Sequence, residues 1–136
     1  MKRILIIVEK GEKGLYSVYS PNTEFTVLNG QGVTVDDAIS DMKEALNEVI
    51  ESYQESGEDI PAELAGHIEF EYKYDVASLF NHFDEINLSS FARKNGMNES
   101  LLRKYKNGLA FASERQCRKI ENGLHRLGQS LCAASL

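Results

Sequence analysis

The chain has 136 residues, with 42% apolar side chains, 15 Lys/Arg and 21 Asp/Glu, and a formal net charge of −6. That length fits one medium or two small domains with a real core, and no run approaches the roughly 18 uncharged apolar residues of a membrane span. The charge is divided: residues 1–75 hold 16 Asp/Glu and 6 Lys/Arg, a net of −10, and residues 76–136 hold 5 Asp/Glu and 9 Lys/Arg, a net of +4. A basic half suits phosphate binding and an acidic half suits a basic partner, although each is also what a solvated face looks like.

Met1-Lys2-Arg3 followed by Ile4–Val8 meets Glu9-Lys10-Gly11-Glu12 at once, without a small-residue cleavage site, so no signal peptide is expected. The two cysteines, Cys117 and Cys132, lack metal-ligand spacing and make no disulfide framework. A cytoplasmic protein with reduced thiols is the expectation.

Ile4–Val8 is an unbroken β-branched run, as in a strand covered on both faces. Turns at Gly11–Gly14 and Pro21-Asn22 separate it from a second strand, Leu15–Ser20, and a third, Phe25–Leu28; connections this short favour an antiparallel meander, closed by Asn29-Gly30-Gln31-Gly32. Thr34 is a good N-cap, with Asp36 and Asp37 in the first turn. Val35, Ala38, Ile39, Met42, Ala45, Leu46, Val49, Ile50 and Tyr53 then recur at helical steps until Gly57. His67–Tyr72 alternates apolar and polar residues as a fourth strand does. The expected fold class is α+β: a small antiparallel β-β-β-α-β domain over residues 1–74, then an all-α domain over 75–136.

Gly14–Ser20, Gly30-Gln31-Gly32, Thr34–Ala38, Glu44-Ala45-Leu46 and the Gly57–Pro61 stretch together resemble the front half of HicB-type antitoxins, over residues 3–72. The resemblance implies a partial ribonuclease-H-like fold. Where that family has a Pro-Gly-Cys-like turn in its third strand, this chain has Glu24-Phe25-Thr26-Val27. Ribonuclease-H chemistry needs carboxylates converging on divalent ions. Here Asp36, Asp37, Asp41 and Glu44 run along one helix and the first strand carries no inward acid, so no enzyme is expected. His67, His82 and His125 are too scattered for a zinc site or a triad, and no cofactor is expected.

In the second half, Asp75 can cap a short helix with Val76, Leu79, Phe80 and Phe83 on one face. Leu88–Asn95 is a second helix; Asn98 caps a third that runs to about Asn107 and stops at Gly108. Between them, Ala92 is followed by Gly96, Leu102 and Tyr105. That is the spacing of a helix-turn-helix: a small residue at the crossing, a positive-φ turn, then apolar residues that seat the next helix. Ser113 caps the last helix, with Gln116 at the capping-box position and Cys117, Ile120, Leu124, Leu127 and Leu131 stepping by three and four. Gly123 and Gly128 weaken it, by about 1 kcal/mol each at exposed interior sites.

Over residues 76–127 this pattern resembles the five-helix plan of lambda-repressor-like, or Xre-type, DNA-binding domains, which HicB antitoxins often carry at their carboxyl end. The resemblance makes Met97–Asn107 the recognition helix and Gly108 the glycine that follows it. Glu99, Ser100 and Arg103 then face base edges, Arg103 toward guanine O6 and N7 and Glu99 toward cytosine N4. Asn98 stands at the start of the same helix, and Lys104, Lys106, Asn107, Ser89 and Ser90 serve phosphates.

The expected partners are a double-stranded DNA operator, a small basic RNA-cleaving HicA-like toxin met by Asp41, Glu44, Glu48 and Glu51, and a second copy of the chain through Leu124, Leu127 and Leu131, giving a homodimer or a higher even-numbered oligomer. The function expected is an antitoxin that represses its own promoter. Two alternatives stand beside it: a one-component regulator with a ligand-sensing front domain, and an orphan that keeps DNA binding without a toxin.

Overall fold

The computed structural model of the chain describes residues 2–11, 13–24 and 28–136. It is a mixed α/β protein that divides into two compact units, Met1–Ser78 and Leu79–Leu136. Among the described residues no helix is long and apolar enough to cross a membrane.

The first unit is a four-stranded sheet in the order β3-β2-β1-β4, built from β1 (Lys2–Lys10), β2 (Tyr16–Tyr19), β3 (Asn29–Gly32) and β4 (Ile68–Tyr74), with the helix α1 (Val35–Ser56) on one face. The expected meander is present for β1, β2 and β3, which pair antiparallel. The sheet is mixed rather than antiparallel, because β4 joins β1 in parallel, from Lys2↔Ile68 to Val8↔Tyr74. Twenty-two helical residues span about 33 Å, enough to return the chain to the end of the sheet where β3 began.

Two expectations about the strands are corrected. Ile4, Ile6 and Val8 are buried, but Leu5 and Ile7, which point to the opposite face, are only half-buried, so β1 is sealed on one side. The third strand is Asn29–Gly32, the stretch whose composition suggested a closing turn. Of the expected strand Phe25–Leu28, residues 25–27 lie outside the described residues, and Leu28 is buried in the core.

Close approach to α1 explains the glycines of β3. A Cβ on Gly30 would stand 2.3 Å from the carbonyl oxygen of Ala38, and one on Gly32 would stand 2.7 Å from the Ala38 nitrogen. The Gln31 N–H, on the outer edge of the sheet, donates to Asp41 Oδ2 at 2.9 Å, which ties the edge strand to the helix.

The caps of α1 are those its sequence implies. Thr34 Oγ1 accepts from the Asp37 N–H at 3.0 Å, and Gly57 ends the helix in the left-handed region, φ 74°. Val35, Ala38, Met42 and Leu46 are buried against the sheet, and the three larger side chains contribute about 1.5–3 kcal/mol each.

The chain continues through α2 (Val76–His82), α3 (Leu88–Lys94), α4 (Glu99–Lys106) and α5 (Glu114–Ala133). That makes four helices after the sheet rather than the five of the Xre-type plan. Asp75 Oδ1 caps α2 by accepting from the Ser78 N–H at 2.7 Å. The α3–α4 turn is fixed by chemistry local to it. Gly96 sits at φ 62°, and the Met97 N–H reaches back to the Ala92 carbonyl at 2.8 Å, the six-to-one bond of a Schellman motif. Asn98 Oδ1 then caps α4 through the Leu101 N–H at 3.0 Å. The same device closes α4, with Gly108 at φ 73° and the Leu109 N–H on the Lys104 carbonyl at 2.8 Å.

Phe80 and Phe91 meet edge to face, with centroids 5.9 Å apart, and Ala92, Leu102, Tyr105 and Ile120 are buried with them. Gly123 differs from its expected role as a weak point on an exposed helix. It is buried, and a Cβ there would stand 2.5 Å from Asn95 Oδ1 and 3.0 Å from Phe91 Cζ, so it lets α5 cross α3 closely. The capping box of α5 is half formed: Ser113 Oγ accepts from the Gln116 N–H at 3.2 Å, while Gln116 Oε1 has no partner among the described residues.

Candidate functional site

Two buried side chains, Leu102 and Tyr105, seat α4 in its unit, and helical geometry then turns Glu99, Ser100, Arg103, Lys104 and Asn107 outward. Each of those five is exposed. The last turn carries Arg103, Lys104 and Lys106, placed against the negative end of the helix dipole. Lys106 is half-buried, and its carbonyl oxygen accepts from Asn81 Nδ2 at 2.8 Å. Asn98 is exposed, with its side-chain oxygen committed to the cap.

Three of the expected residues meet. Arg103 donates to Glu99 Oε1 from Nη2 at 2.7 Å and from Nε at 3.2 Å, and Ser89 Oγ donates to the same oxygen. A longer contact, 3.4 Å, joins Arg103 Nη2 to Ser89 Oγ. The Ser89 hydroxyl and the Arg103 guanidinium hold the Glu99 carboxyl below the usual carboxylate range, with Arg93 adding to the effect, so Glu99 is anionic throughout the neutral range.

Ser90 stands apart from this cluster. It lines a groove of about 780 Å³ between α3 and α5, whose apolar walls include Phe91, Leu124, Leu127 and Leu131. The two serines expected to share one role therefore face different surroundings.

Some contributors are not marked by the spacing of the recognition pattern. Lys119 Nζ donates to the Gly96 carbonyl at 3.1 Å, and Arg126 Nη2 donates to Asn95 Oδ1 at 2.7 Å, so two cations of α5 brace the α3–α4 turn. The available signal was their spacing: Lys119, Gly123 and Arg126 share one face of α5 at steps of four and three.

On α1, Asp41, Glu44, Glu48 and Glu51 are exposed, Glu44 and Glu51 opposite the buried stripe and Asp41 at its flank beside the sheet edge. Asp41 is already engaged with the β3 edge, and it lines a polar depression of about 380 Å³ with Ser17, Tyr19, Asn29 and Gln31. Among the described residues no three His, Cys, Asp or Glu side chains group as a metal site requires, and Cys117 and Cys132 are exposed free thiols.

No family model, no curated protein and no solved structure matches the chain.

Proposed function

We propose that this chain is a sequence-specific repressor that reads duplex DNA with α4, and that it is the antitoxin of a HicB-like pair, covering a small basic RNA-cleaving toxin with its acidic first unit. In this reading the protein is an α+β chain of two domains, an acidic β-β-β-α-β domain followed by an all-α DNA-binding domain.

The observation that carries the reading is the outward presentation of Ser100, Arg103, Lys104 and Asn107 on a helix held at both ends. A helix of that kind fits the major groove, where a guanidinium pairs bidentately with guanine. Arg103→Ala is expected to cost about 1–3 kcal/mol of affinity, concentrated at one base pair of the preferred site. Equal loss on every duplex, measured by titration on a set of single-base variants, makes Arg103 a phosphate contact instead.

The antitoxin half rests on the division of charge and on the stripe of Glu44, Glu48 and Glu51. Purification of the chain from its native host tests it: the expected companion is a basic protein of small size, and recovery of the chain alone argues for the orphan reading.

A repressor of palindromic sites works as a two-fold dimer. From His125 onward α5 is exposed, and it carries Leu127 and Leu131. Among the described residues nothing lies within 4 Å of where a Gly128 Cβ would be, so no contact among them accounts for a residue that costs about 1 kcal/mol in a helix. In an antiparallel pairing of two copies centred between Leu127 and Gly128, Leu127 lies over the glycine of the partner, and Leu131 of one copy enters the groove beside Leu124 of the other. Sedimentation equilibrium is expected to give a dimer that Leu127→Asp converts to monomer. A wild-type monomer at DNA-binding concentrations overturns this arrangement.

A further inference from the structure

Glu99 presents an anion in the middle of the surface that the proposed function turns toward a polyanion. An exposed carboxylate beside DNA phosphates is repelled, so its presence there needs a reason beyond the helix dipole. The bonds it makes supply one. A guanidinium has two edges that bind bidentately, Nε with Nη2 and Nη1 with Nη2. Glu99 occupies the first edge of Arg103, accepting from both Nε and Nη2, and Nη1 takes part in none of the bonds to Glu99 or Ser89. The second edge is the one left to a ligand. Ser89, on α3, donates to the same carboxylate oxygen, which ties the pair to the supporting helix and fixes its direction.

We propose that Glu99 is a positioning residue that sets specificity: with Ser89 it holds the Arg103 guanidinium end-on for one guanine, and its charge holds off phosphate wherever that guanine is missing. This rests on the DNA reading of α4 and replaces the expectation that Glu99 itself contacts cytosine. Both effects act on discrimination. An arginine fixed in advance loses little side-chain freedom when it meets guanine, whereas a phosphate contact has to displace the carboxylate.

The test uses the full chain, a duplex selected by the wild type from a random pool, and an unrelated duplex of equal length. Glu99→Ala is expected to bind the unrelated duplex about fivefold to tenfold tighter near 0.1 M salt, with a salt slope steeper by about 0.9, because one more phosphate is neutralised. Its preference for the selected duplex is expected to fall at least tenfold, at the same base pair that Arg103→Ala affects. Ser89→Ala is expected to lower the preference in the same direction without steepening the salt slope. In an Arg103→Ala background, Glu99→Ala is expected to leave base preference unchanged.

A preference lost at a different base pair, or lost again in the Arg103→Ala background, means that Glu99 reads a base, and overturns the positioning role. So does an Arg103 Nε–H signal in the free protein that is no sharper in the wild type than in Glu99→Ala. A wild-type chain that selects no duplex overturns the DNA reading itself, an outcome distinct from these.

Discussion

Gly30→Ala is expected to unfold the first unit at concentrations of urea that leave the wild type native. The added methyl group would be placed 2.3 Å from the Ala38 carbonyl oxygen and 2.6 Å from the Met42 nitrogen, both backbone atoms of α1. Side chains can rotate away from such a contact; a helix backbone cannot, so β3 must leave the sheet or α1 must lift from the core. Overpacking a core costs about 1–3 kcal/mol where side chains yield, so the loss here is about 3 kcal/mol or more, a large share of the stability of a small domain. Chemical denaturation followed by far-ultraviolet circular dichroism measures it. Gly14→Ala is the useful contrast: among the described residues nothing lies within 4 Å of a Cβ there, and the cost is only that of φ 74° for an alanine, about 1–2 kcal/mol.

Leu102→Ala is expected to cost about 2–5 kcal/mol, the range for emptying a buried leucine site. Leu102 is fully buried while Arg103 and Lys104 beside it are exposed, so the variant removes one of the two side chains that seat the helix and leaves its exposed residues chemically intact. The measured quantities are the denaturation midpoint and, in the DNA reading, affinity for the selected duplex at a temperature where the variant stays folded. An unfolding free energy within about 0.5 kcal/mol of the wild type means that Leu102 contributes little to the core, and the seating of α4 would need another account.

What the sequence disclosed was mostly what neighbours in sequence decide. Thr34, Asn98, Ser113, Gly57, Gly96 and Gly108 each act within a turn of their own position, and each does what its type and spacing imply. The amphipathic period of α1 was legible for the same reason. Partners distant in sequence were not. Asn-Gly-Gln-Gly has the composition of a turn and is a strand, because only glycine fits beneath Ala38 and Met42 of a helix that comes later. The apolar run of β1 suggested two covered faces; Leu5 and Ile7 are part of it, but only Ile4, Ile6 and Val8 join the core cluster with α1.

The candidate site divides the same way. The resemblance to a recognition helix implied one outward face for Glu99, Ser100 and Arg103, and all three are exposed. The Ser89 bond to Glu99 crosses ten residues and a turn, and a list of polar residues at helical spacing does not reveal which of them are already bonded to one another.

Asn98 at its start, the Gly108 closure at its end and the Lys119 ammonium on the carbonyl of the preceding turn leave α4 few ways to fray. A molecule that settles against this helix therefore meets a shape already assembled. Its association speed should follow diffusion and charge rather than any rearrangement of the protein, and whether it stays should depend on which atoms it presents to a stationary template.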